Sequence, residues 1–293
     1  MLRLSEPKYN LEYVLDECIR GITGNSLLQK NMQIAKQSIL GAWQNYINEV
    51  SVGNLFKIAP TTKDDASIFE NLAKSDLIKV YNDYFVPENK PGNKFYETIL
   101  NAAKRKCPYC GGIGTPRNLD HYLPKSFFPQ FSVLPQNLIP TCRDCNIDGK
   151  KNRFASKEEE QIIHPYIDKA IFYNEPWIDA IYCETGNDDL GIFKYFLDTP
   201  DEWSDVDKKR AERHFRDFDL ARRYATKAAE ASVILMAQIS HLRAVGLNNE
   251  DINATLVKPA IKALPLSFVN NWQMIMYKAV AKLLIDDCDG GLV

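Results

Sequence analysis

No run of about 18 apolar residues occurs anywhere in the chain, and its opening segment, MLRLSEPKYNLEY, lacks an uninterrupted apolar stretch. Neither a membrane span nor a secretion signal is therefore expected, and the protein is expected in the cytoplasm. Internal repeats and low-complexity tracts are also missing, which excludes solenoid and linker-dominated architectures. Excess charge of one sign is absent as well. A net charge of −2 gives no general attraction for nucleic acid or for anionic lipid. The 7 cysteines do not form a disulfide pattern: Cys18, Cys183 and Cys288 are scattered, as in a reducing compartment. What remains, 45% hydrophobic and 25% charged residues over 293 positions, is an ordinary globular composition with room for one large core or two to three smaller ones.

Against this background the other four cysteines stand out as two C-x-x-C pairs, Cys107/Cys110 and Cys142/Cys145. Each pair lets two thiolates reach one ion from a tight knuckle, and together they supply the four sulfur ligands of a closed, structural zinc site. The 31 residues between Cys110 and Cys142 exceed the usual ribbon spacing of about 15–20. Something further is expected between the knuckles. Leu119 to Pro124 reads as a short strand carrying Asp120 and His121 side by side. Gln136 to Pro140 reads as a second strand, and the polar, basic stretch from Cys142 to Arg153 as a short helix with Asn146 directly after the last cysteine.

The order Asp-His, Asn, Cys-x-x-Cys-Asn across residues 107–153 resembles the HNH endonucleases, in the subgroup that adds four zinc-binding cysteines. It also looks like the HNH nuclease subunits of two-component phage-defence systems such as Septu or the retron-associated ATPase/HNH pairs. The resemblance implies a ββα-metal core in which Asp120 and Asn146 bind a catalytic divalent metal, Mg²⁺ or another, and His121 is the general base. Asn137 would hold the loop bearing His121. An ATPase partner subunit is implied in the same way.

Elementary chemistry agrees with that assignment. Phosphodiester hydrolysis needs a water deprotonated near neutral pH, and imidazole, with an ordinary pKa of about 6.5, is suited to the task. It also needs positive charge at the leaving oxygen, which a hard cation held by carboxylate and amide oxygens supplies. Charge is distributed accordingly. Between Lys104 and Arg153 nine Lys or Arg face three Asp, a balance of +6 that leaves −8 for the remainder. Arg117, Lys125, Arg143, Lys150, Lys151 and Arg153 are the candidate phosphate contacts. Two alternatives stay open: the same chemistry directed at RNA such as transfer RNA, or a catalytically silent zinc module that binds nucleic acid or a protein partner.

The flanks read as mainly helical, so the expected fold is mainly α with a small α+β insert: a treble-clef-like ββα zinc module between helical regions. The divisions are 1–100, 101–165 and 166–293, with a β-hairpin near 177–197. Helices are expected over Tyr9 to Ile22, Ser26 to Val50, Ile68 to Phe85 and Tyr96 to Lys106. Ser204 should cap a helix through a hydrogen bond to the region of Asp207. A long helix should follow from Leu220 to Val245 with Ile234 on its buried side, Pro259 should kink or divide the next one, and Ser267 to Ile285 should close the chain. His164, His214 and His241 lie outside any ligand pattern and are read as structural, with a supporting role near the site left open for His164.

Overall fold

Helix starts in this chain are set by short polar side chains that capture free backbone N–H groups. In the computed structural model, which describes residues 1–64, 66–185, 189–264 and 268–289, Asn10 accepts from the Tyr13 N–H at the head of α1 (Leu11–Gly21). Asn25 does the same for α2 (Ser26–Ile34). The chain divides into two compact units, Arg3–Asp168 and Lys169–Val293, the second also holding Met1–Leu2.

In the first unit α3 (Lys36–Ser51) follows α2 after a break at Ala35, so the expected single helix from Ser26 to Val50 is two. Leu27 and Ile34 are exposed, whereas Leu28, Met32, Ile39 and Trp43 are buried. A second correction concerns Ile68 to Phe85. Its first part is a tight hairpin, β1 (Ser67–Phe69) against β2 (Leu72–Ala73). Glu70 turns it at φ 30, braced by the Ser67 hydroxyl donating to the Glu70 carbonyl over 2.8 Å. The helix α4 (Lys74–Lys79) begins only where Asp76 accepts from the Ala73 N–H, then widens into π-type turns over Val80–Phe85. α5 (Asn93–Ala102) precedes the first cysteine pair.

Antiparallel strands β3 (Asn118–His121) and β4 (Leu138–Thr141) pair Asp120 with Ile139 and His121 with Leu138. A wide helical turn, Cys145–Lys150, follows. Residues 3–100 and 101–165 lie within this one unit and contact each other. The Trp43 indole donates to the Gln130 carbonyl at 2.8 Å, the Tyr46 ring meets Phe131 edge-on, and the Ser132 hydroxyl donates to the Leu77 carbonyl. Burying rings of this size supplies most of the favourable energy of such a core, and their polar ends are matched to carbonyls so that little is lost.

The second unit holds α6 (Ile171–Asn174) and the hairpin β5 (Ile178–Thr185) and β6 (Asp189–Leu197), with the expected turn residues 186–188 outside the described residues. Its helices are α7 (Asp205–Asp217), α8 (Leu220–Ala244), α9 (Asn249–Ile252), α10 (Lys258–Ala263) and α11 (Trp272–Asp289). Ser204 caps α7 by accepting from the Asp207 N–H at 3.1 Å. The expected division at Pro259 is not seen: α9 passes through wide, π-type turns over Asn253–Val257 straight into α10, and Pro259 follows directly on those turns. Along α8 the buried positions are Leu220, Tyr224, Ala228, Ser232, Leu235 and Ile239, whereas Ile234, expected inside, is exposed. Cys183 is half-buried, and Ser267 lies outside the described residues. Asn270, which the sequence reading passed over, is fully buried. It accepts from the Trp177 and Ile178 N–H groups and donates to the Glu175 carbonyl, pinning the start of the hairpin.

Candidate metal centre and adjoining pocket

The two cysteine pairs converge. The sulfurs of Cys107, Cys110, Cys142 and Cys145 all lie within 4.8 Å of one another and all four residues are buried. The first knuckle is shaped by Gly111 and Gly112 at φ 63 and 87, a conformation that side chains resist. The Gly112 N–H donates to the Cys107 carbonyl, and the Gly114 N–H donates to the Cys110 sulfur at 3.3 Å. The second knuckle closes with the Asn146 N–H donating to the Cys142 carbonyl. Four buried thiols at this separation, in a chain where such groups could otherwise have been apolar, are the donor set of a structural zinc. Among the described residues no other group of three or more His, Cys, Asp or Glu side chains gathers in this way.

Beside the cysteines β3 ends at Asp120 and His121. Both line a pocket of about 390 Å³ together with Asn146, Lys125, Tyr81, Asn82, Asn118 and Asn152. The structure thus brings Asp120, His121 and Asn146 to one cavity. Asn137 is fully buried behind it: its side-chain oxygen accepts from the Leu123 N–H at 2.7 Å, and its amide donates to the Leu123 and Phe131 carbonyls. It therefore ties both ends of the segment that follows His121.

His121 is 6% exposed, and its Nε2 lies 2.9 Å from the Ser132 carbonyl oxygen. A carbonyl only accepts, so Nε2 carries the hydrogen and Nδ1 is left as the basic nitrogen. Burial first, then the nearby Lys125 charge, pushes the His121 pKa down to about 3, against the pull of the Ser132 carbonyl. The ring is therefore neutral at physiological pH, with the Nδ1 lone pair unprotonated. Asp120 is shifted the other way: burial raises its carboxyl to about 6, opposed by the Lys150 ammonium and the His121 N–H. Its Oδ2 is buried and receives no hydrogen bond. An orphaned carboxylate oxygen beside an amide side chain in a polar pocket suits a hard cation, so the residues present fit a divalent metal.

The basic residues divide. Arg117, Arg143, Lys151 and Arg153 are exposed, as phosphate contacts require. Lys125 lies in the pocket, its ammonium donating to the Asn82 side-chain oxygen at 2.6 Å and sitting 4.3 Å over the Tyr81 ring. Lys150, grouped with the surface cations in the sequence reading, is instead 3% exposed and faces Asp120. Its place follows from the wide turn Cys145–Lys150, which carries it inward.

Tyr81 and Asn82 are the wall residues that sequence reasoning missed. Tyr81 packs its ring edge-on against His121 with centroids 4.5 Å apart, and its hydroxyl donates to the Leu119 carbonyl. An aromatic at helical spacing some forty positions ahead of the motif reads as core, and the only local sign of more is the irregular π-type turn that carries it. His164 is buried and structural, its Nδ1 accepting from the Tyr166 and Ile167 N–H groups and its Nε2 facing the Tyr46 hydroxyl.

Two strands and a helical turn, tied at the base by a four-cysteine cluster and opening onto a polar pocket, define a small zinc module built into a larger helical protein. The chain is 33% identical over 298 residues to protein ea31 of Escherichia phage lambda, an alignment covering 96% of this chain and 97% of that protein; it belongs to the ea31 family. It is also 36% identical over 74 residues to the Septu protein PtuB of Bacillus thuringiensis, which covers 24% of this chain and 28% of PtuB. No family profile and no solved structure matches the chain. No helix among the described residues is long and apolar enough to cross a membrane.

Proposed function

We propose that the protein is a metal-dependent endonuclease of the HNH type that hydrolyses phosphodiester bonds in nucleic acid. The observation that carries this reading is the meeting of Asp120, His121 and Asn146 in one pocket beside the cysteine cluster. Asp120 and Asn146 would hold the catalytic cation, Mg²⁺ or another divalent ion, which when bound supplies Lewis-acid charge at the leaving oxygen. His121, fixed through Nε2 by the Ser132 carbonyl, takes the proton of the attacking water at Nδ1. Tyr81 and Asn137 keep that imidazole and its loop in place. Lys125 meets the phosphate inside the pocket, while Arg117, Arg143, Lys151 and Arg153 contact the backbone on either side. The thiolate-bound zinc takes no part in the reaction, because a closed site has no position for substrate.

The partial similarity to a Septu protein supports the effector nuclease of a phage-defence system, working in the cytoplasm with an ATPase partner subunit. The relative that spans the whole chain belongs to a phage, so the reading extends to a nuclease that a phage itself carries. Nothing in the proposed chemistry requires a 2′-hydroxyl, so it applies to DNA and to RNA such as transfer RNA. Purified protein incubated with plasmid DNA and with total RNA, in Mg²⁺ and in chelator, tests the proposal. Cleavage of one or both polymers that disappears in chelator is expected. Binding without cleavage, at any divalent ion supplied, would leave only the silent module.

A further inference from the structure

Lys150 and Asp120 are both almost fully buried, with side-chain exposures of 2% and 9%, and the ammonium nitrogen lies 3.6 Å from the Asp120 Oδ2. That distance is beyond a hydrogen bond, and among the described residues neither atom has a hydrogen-bond partner. A buried ion pair normally survives because hydrogen bonds satisfy both members, and here the two facing atoms, Oδ2 and Nζ, have none among the described residues. The arrangement is that of a charge held near a carboxylate without being bound to it.

The backbone explains the placement. Asn146 and Lys150 stand four residues apart on one wide helical turn, closed by the Lys151 N–H donating to the Asn146 carbonyl at 3.0 Å. Such a turn sets both side chains towards the same side. It ends sharply, with Lys151 at φ 55 and ψ −143, in a region that side chains avoid. Asn146 is thereby directed to the pocket, and the Lys150 ammonium to the carboxylate that faces it.

We propose that Lys150 is a resident counter-charge for the catalytic cation: its ammonium neutralises Asp120 while the site is metal-free and is displaced when a divalent ion binds. This rests on the nuclease reading of Asp120 and Asn146 as metal ligands. A divalent ion coordinated by Asp120 would stand about 2.0–2.6 Å from the same oxygen. Two cations would then share one carboxylate at short range in a low-dielectric site, and their repulsion makes joint occupancy unfavourable. Lys150 thus sets a threshold for metal binding while keeping the empty pocket from holding an uncompensated charge.

The test is a calorimetric titration of the zinc-loaded, full-length protein with Mn²⁺, comparing wild type, Lys150→Met and Asp120→Asn. Lys150→Met should bind Mn²⁺ at least about tenfold more tightly than wild type, a shift of about 1.4 kcal/mol, and Asp120→Asn should lose the site. Equal affinity of wild type and Lys150→Met, with Asp120→Asn still losing the site, would overturn the counter-charge while leaving the metal ligands standing. No Mn²⁺ binding by any of the three would overturn both. Reductive methylation of wild-type protein, read by mass spectrometry, gives the answer even if Lys150→Met fails to fold. Lys150 modification should rise several-fold at saturating Mn²⁺, and an unchanged level would overturn the displacement.

Discussion

Asn137 makes three hydrogen bonds with no exposure to solvent, one accepted from the Leu123 N–H and two donated to the Leu123 and Phe131 carbonyls. Asn137→Ala leaves the Leu123 N–H and the Leu123 carbonyl buried without their partner, while the Phe131 carbonyl still accepts from the Leu134 N–H; each orphaned group costs about 1–3 kcal/mol, moderated by relaxation. A loss of at least about 2 kcal/mol is therefore expected in denaturant unfolding, and a stability unchanged within 0.5 kcal/mol, about the scatter of surface substitutions, would show that the loop is held otherwise. Asn137→Asp should be no better, because a carboxylate oxygen would face two carbonyls. At this scale the sequence was uneven as a guide. Asp120, His121 and Asn146 were legible because a carboxylate, an imidazole and an amide at fixed places around cysteine pairs have few other uses. Lys150 was not, because a lysine in a basic run reads as solvated, and only the width of the turn after Cys145 shows that it faces inward.

Elements were legible where capping chemistry marked them. Asn10, Asn25, Ser204 and Asn248 each accept from the N–H three residues on, and the helices start there. Strand pairs were harder. Residues 68–73 passed for helix because a pair of two- and three-residue strands is too short to show alternation. β3 and β4 were found only because the Asp-His pair and the Asn between the two cysteine pairs drew attention to them. The element on which the site depends most is the double knuckle. One zinc per chain is expected by elemental analysis, held by Cys107, Cys110, Cys142 and Cys145, and because ligand convergence is coupled to folding, its binding energy adds to stability. Cys142→Ser should lower the zinc content and the melting temperature together. A variant that keeps both would remove the zinc assignment.

At the scale of the whole molecule, the mainly helical character and the central module were readable from periodicity and cysteine spacing. The association of the N-terminal helices with the module was not. That association is carried by single long-range contacts, such as Trp43 to Gln130 and Tyr81 to His121, which leave no local pattern in the chain. It means that the pocket is not a property of residues 107–153 alone, since Tyr81 and Asn82 form its wall from a helix outside them. The central claim is that this pocket cleaves phosphodiesters with His121 as the base. Its most direct test is the initial rate of nucleic-acid cleavage in Mg²⁺ by wild type and His121→Ala, at matched zinc content and melting temperature. The account predicts a loss of about 10²–10⁴-fold in the variant, the usual contribution of a general base. Wild-type rates in a folded, zinc-loaded His121→Ala protein would contradict it.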